Sequence, residues 1–294
     1  MEEAEWLLVR RAVLGSLYAP MRPLSRDVIC SLPDLNFLAG SKPPPLDASP
    51  PTYWKLYFRW LPLAALWYVR ASTFRMPTSA GPDSACGKTE GAEVEMLDLQ
   101  TEPWRVLLEE REALLGQMRA WEAAIHARLV LAATVEESAV LRQILPNCKN
   151  LRYQIMSLFG SIAAPEKREE MRALSCEIIE MSEQVFEVLP GIKEGRDEMR
   201  ESLSAVGVLM SQNCRESADT RKRALALCRQ LIDSRSRWDA KGVVMGTSKL
   251  MEIEEEGREM EEDYIPVSAQ WDWTLASWDE GFTELTVVYT PKTL

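Results

Sequence analysis

From about residue 98 to residue 256 the apolar residues return every three, four or seven positions, and prolines and glycines fall at the breaks. Trp104, Leu108, Leu115, Met118, Trp121, Ile125 and Leu129 set the pattern. This spacing lines up one apolar stripe on a helix and scatters the same residues over both faces of a strand. A chain written this way has to bury its stripes helix against helix.

Further helices follow from the same period. One is expected over about 135–145, stopped by Pro146, and another from there to about Ile162. Pro165, followed by Glu166, marks a helix start, and Pro190-Gly191 marks its stop. The spacing predicts helices over about 195–211 and 217–234, and a last one from a Ser236 cap to Glu256. Upstream, helices are expected over 4–19 and 53–72, separated by the proline-rich stretch 31–52.

Only the tail changes period. Trp271, Trp273 and Leu275 alternate, Asp279-Glu280-Gly281 marks a turn, and Leu285, Val287 and Tyr289 alternate again. This reads as a β-hairpin laid on helices. The expected fold class is all-α: stacked antiparallel helical hairpins with a small C-terminal β-hairpin. Residues 1–75 read as an N-terminal helical segment with a Pro-rich loop. Residues 76–96 are small, polar and Gly/Pro-rich, which suits a flexible linker. Residues 97–294 form the main helical domain.

Charge narrows the function. The chain of 294 residues carries a net charge of −11, which disfavours a basic nucleic-acid surface. The first 80 residues hold nine Lys/Arg against six Asp/Glu, and the remainder holds 25 against 39. Glu2, Glu3 and Glu5 oppose a secretory signal. In the apolar stretch Trp54–Val69, the uninterrupted part from Trp60 is about half a membrane span. A buried or interfacial helix is therefore expected there, with membrane-surface binding through residues 54–70 the weaker alternative.

Candidate chemistry is sparse. The six cysteines, Cys30, Cys86, Cys148, Cys176, Cys214 and Cys228, are all far apart in sequence, which excludes local metal knuckles and redox pairs. They read as reduced thiols in an intracellular compartment. Gly87-Lys88-Thr89 mimics the end of a phosphate loop, but Pro82 stands where the first glycine is needed. His126 is the only histidine and cannot build a multi-histidine metal site. The acidic run Glu252–Asp263 holds eight acids in twelve residues and reads as a solvated helix end. Arg221-Lys222-Arg223 and Arg235-Ser236-Arg237 are shorter than a nuclear-localisation patch and read as structural. No catalytic, cofactor-binding or metal-ligating residue is nominated, and no cofactor is expected.

Several short pieces in order do carry a likeness. They are Arg221-Lys222-Arg223-Ala224-Leu225-Ala226-Leu227, Trp238-Asp239, Met251-Glu252-Ile253-Glu254-Glu255-Glu256-Gly257 and Val287-Val288-Tyr289-Thr290-Pro291. Together with the long helix after Leu97-Asp98-Leu99-Gln100, they resemble the C-terminal regulatory region of fungal binuclear zinc-cluster transcription factors, over about residues 95–294. The close-packed six-cysteine cluster of that family is absent here, so neither zinc nor DNA contact carries over to any residue. The resemblance implies a nuclear regulatory or protein-interaction domain, with the cytoplasm as the other location, controlling a metabolic or specialised-metabolite pathway. It implies a protein partner, either a DNA-binding regulator or a second copy, and a small effector held between helices. The alternative from another class is an enzyme or small-molecule binder on the same helical scaffold.

Overall fold

The computed structural model describes residues 42–75, 102–158, 165–192, 195–232, 238–258, 263–279 and 284–291. They form seven helices and one two-stranded sheet. The helices are α1 (Pro50–Arg75), α2 (Glu102–Val130), α3 (Val135–Leu158), α4 (Pro165–Val188), α5 (Arg196–Asn213), α6 (Ala218–Leu231) and α7 (Trp238–Glu256). Strands β1 (Trp271–Trp278) and β2 (Leu285–Pro291) close the order. The fold is thus all-α with a C-terminal hairpin. The expected helix over 4–19, the linker 76–96, the Ser236 cap and the Gly87-Lys88-Thr89 motif lie outside the described residues.

Helix α3 is the axis of the body. It packs against α1, α2, α4 and α5, and α5 in turn packs against α6 and α7. Residues 131–134 join α2 to α3 and residues 214–217 join α5 to α6. Connections this short make the joined helices antiparallel neighbours.

The main core begins in α1. Tyr53, Tyr57, Trp60, Ala64, Trp67 and Ala71 recur at helical spacing and are all buried. The apolar stretch that begins at Trp54 is therefore a core helix. Trp60 stacks on Trp121 of α2 at 6.0 Å, and Tyr57 meets the edge of Trp121 at 5.6 Å. Aromatic pairs at this separation add attraction beyond the area they bury. Leu141, Ile144, Ile155, Ile178, Met210 and Ala224 extend the same core into α3, α4, α5 and α6. Among the described helices, none is long and apolar enough to cross a membrane.

Two expectations need correction. Pro146 does not end a helix: α3 runs through it from Val135 to Leu158. The proline removes one backbone donor, but the face around it is buried on both sides by Leu145, Cys148 and Leu151. Packing outweighs the local cost of the ring. The strand alternation also breaks. Trp273 pairs with Tyr289, yet Leu275 pairs with Val288, so a β-bulge sits at Thr274. One extra residue in β1 shifts every later partner by one.

Candidate functional site

The ends of α5, α6 and α7 meet β1 around a set of charged side chains removed from water. Arg215 and Glu216 stand in the α5–α6 turn, Arg221 on the first turns of α6, and Glu254 near the end of α7. Arg221 is 1% exposed and Glu254 is 0% exposed. Glu254 Oε1 accepts from Arg215 Nη2 at 3.1 Å, from Arg215 Nε at 3.3 Å and from the backbone N–H of Trp271 at 2.8 Å. Its Oε2 is ion-paired with Arg221 Nη1. Arg215 Nη2 also donates to the Trp271 carbonyl at 3.0 Å, and Arg221 Nε donates to the Ser211 carbonyl at 2.6 Å. One carboxylate thus ties two helix ends to the root of the hairpin.

A second carboxylate balances the charge. Glu216 Oε2 accepts the Tyr153 hydroxyl of α3 at 2.5 Å and the Arg215 N–H at 3.1 Å. Burial pushes the Tyr153 hydroxyl well above the ordinary phenol range, and the Glu216 charge pushes the same way. Burial opposes the charge on Arg215, but Glu254 and Asp272 outweigh it and its pKa is raised. Burial pulls Arg221 down, Glu254 offsets this only in part, and Arg215 adds to the fall. Both guanidiniums stay charged, because arginine holds its proton throughout the working range.

The α6 side of this junction follows from its sequence. Ser217 accepts the Thr220 N–H at 3.3 Å and caps the helix. Ala224, Leu225, Cys228 and Leu231 make its buried stripe, and Arg221 falls on that stripe one turn earlier. The hairpin is fastened a second time on α7. Tyr289 donates to the Gly246 carbonyl at 2.6 Å. The Trp273 ring lies against Gly246, where an added Cβ would meet Trp273 Cζ3 at 2.7 Å. Only glycine admits the ring this close.

Another ion cluster, buried at Lys149 and Glu122 and open to solvent at Glu177, lies between α2, α3 and α4. Lys149 Nζ reaches Glu122 Oε2 at 3.3 Å and Glu177 at 3.1 Å, and Arg152 reaches Glu122 at 3.3 Å. Charges this deep persist only when paired.

The residues weighed from sequence fall in different places. His126 is exposed on α2. Cys148, Cys214 and Cys228 are buried in separate places and Cys176 is half-buried on α4. Burial pushes Cys214 and Cys228 up to about 12, the opposite of an activated thiolate. Among the described residues no group of three or more His, Cys, Asp or Glu is placed to hold a metal ion. Cys30 and Cys86 lie outside them. The acidic run is not wholly a solvated helix end: Glu254 within it is buried, and Asp263 accepts Arg172 Nη2 at 2.7 Å. Sequence reasoning missed the pairing of Arg221 with Glu254, although Arg221 sits in register with an apolar stripe.

No protein-family model, curated protein or solved structure matches this chain.

Proposed function

We propose that this chain is a transcription-factor-like regulatory domain, without a DNA reader of its own, that works through protein contact. One observation carries the reading. Three of the four sequence pieces that resemble the fungal zinc-cluster regulators meet on α7. Arg221 comes from the first, Glu254 from the third and Tyr289 from the fourth; Arg221 pairs with Glu254, and Tyr289 fastens to Gly246, two turns earlier on the helix that carries Glu254. Short pieces recur together in order when they build one structural joint, so their meeting supports kinship of architecture. Most of the joint's hydrogen-bonding groups face one another, with Glu216 Oε1 left without a hydrogen-bond partner, which supports a holding role. The action then belongs to the helical surface, with a nuclear partner and a metabolic pathway as its setting. A net charge of −11 suits a partner that supplies the DNA contact.

The test is a reporter experiment. The full chain is fused to a heterologous DNA-binding domain and expressed in a fungal host with the matching promoter. The expected result is a change of several-fold in reporter output. An unchanged reporter, with the fusion present in the nucleus at normal level, would sink the proposal.

A further inference from the structure

Among the described residues the hairpin has one guarded edge and one with no strand paired to it. Strand β1 is guarded by the bulge at Thr274, and the Trp271 N–H and carbonyl are both taken by the body. Strand β2 has a neighbouring strand on one side only, among the described residues. Natural edges are blunted by charges, prolines or bulges. From Leu285 to Thr290 β2 has none of these, and Pro291 marks its end.

The backbone parity of β2 follows from two bonds. Trp271 spends its groups on the body, so its partner Pro291 also turns its backbone away from β1. At the other end Asp279 N–H donates to the Glu284 carbonyl at 3.0 Å, so Glu284 faces β1. Alternation then turns Thr286, Val288 and Thr290 toward β1, and Leu285, Val287 and Tyr289 toward the outer edge.

Read about its centre, β2 is complementary to itself. In an antiparallel pair of two β2 strands centred on Val288, Val287 meets Tyr289, Thr286 meets Thr290, and Val288 meets its own copy. Aromatic with β-branched and threonine with threonine are favourable cross-strand pairs. The Val287–Tyr289 pairs are also the ones whose backbone groups face outward, so they exchange about four hydrogen bonds across the two-fold axis. Val288 is 40% exposed, a large apolar side chain with no charge beside it in the strand.

We propose that two copies of this chain associate through β2, forming a four-stranded antiparallel sheet around a two-fold axis. A two-fold contact of this kind is isologous, so one patch serves both copies. The proposal rests on strand chemistry alone and stands apart from the regulatory reading.

Sedimentation velocity of the full chain tests it. The wild-type chain is expected to show a concentration-dependent shift from monomer to dimer. The Val288→Lys and Val288→Glu variants each place like charges opposite one another at the axis and are expected to weaken the dimer by at least about tenfold. An equimolar mixture of the two variants is expected to restore it, because the axis then pairs opposite charges. That rescue separates the proposal from misfolding, which mixing cannot cure. A wild-type chain that stays monomeric to high concentration overturns the proposal. So does a dimer that both variants leave unchanged, or one that their mixture does not recover.

Discussion

Replacing Glu254 with glutamine tests the reasoning at its centre. The carboxylate is 0% exposed, takes three hydrogen bonds on Oε1 and holds Arg221 on Oε2. Glutamine has nearly the same shape, so packing is conserved. Its amide oxygen can serve Arg215 and Trp271, but its NH₂ then points at the Arg221 guanidinium, a donor facing a donor. Two buried guanidiniums are left with Glu216 as the one buried carboxylate beside them. Breaking a buried ion pair from one side costs about 3–5 kcal/mol. That is a large share of the roughly 5–15 kcal/mol that holds a domain together. In urea, with a slope of about 2–3 kcal/mol per molar, the midpoint falls by roughly 1–2 M. Equilibrium unfolding followed by far-UV circular dichroism reads this directly. A cycle with Arg221→Gln is expected to give a coupling above about 1 kcal/mol, as for residues in direct contact. A loss below about 0.5 kcal/mol for Glu254→Gln is what a solvated helix-end carboxylate would give, and it would refute the buried joint.

Gly246→Ala sets two effects against each other: alanine gains about 1 kcal/mol in a helix interior, while the Trp273 ring cannot yield without moving the hairpin. The clash is expected to win by about 1–3 kcal/mol, with an altered near-UV signal from Trp273; a more stable variant would count against the docked ring. Stability also depends on alkali. Burial holds the Cys214 and Cys228 thiols and the Tyr289 hydroxyl up to about 12, while the unfolded groups ionise near 9 and 10. Between those values the folded chain keeps protons that the unfolded chain releases. The contribution is therefore complete below about pH 9 and is lost as pH rises toward 12. Urea midpoints measured from pH 8 to pH 11 are expected to fall steadily, and a flat profile would contradict the burial of these groups.

Helix faces were legible because burial is periodic. The sequence pattern placed Met118, Trp121 and Ile125 on the inner face of α2, and Leu203, Val206 and Met210 on that of α5, and all are buried. Pro146 was misread because local propensity speaks for one residue, while α3 is held by neighbours on several sides. Glu254 was misread for a different reason. Five acids crowd between residues 252 and 259, and composition points to solvent. Its partners lie in the α5–α6 turn, on α6 and at the start of β1, too far along the chain for any local window. A signal was nonetheless present: Leu250, Met251 and Glu254 fall on one helical face, as do Arg221, Ala224, Leu225 and Cys228. Opposite charges that occupy apolar registers of two different helices are candidates for each other. The bulge at Thr274 left no such trace, because an extra residue alters the pairing without altering the composition.

The joint around Glu254 also imposes an order in time. On the ribosome Arg215 and Arg221 emerge first, Glu254 later and Trp271 last. At roughly 5–20 residues per second, the interval between Arg221 and Trp271 lasts several seconds. Through that interval two guanidiniums sit on surfaces already able to collapse, with Glu216 the one carboxylate of the joint already made. The body therefore stays wet at this corner until the hairpin arrives to seal it.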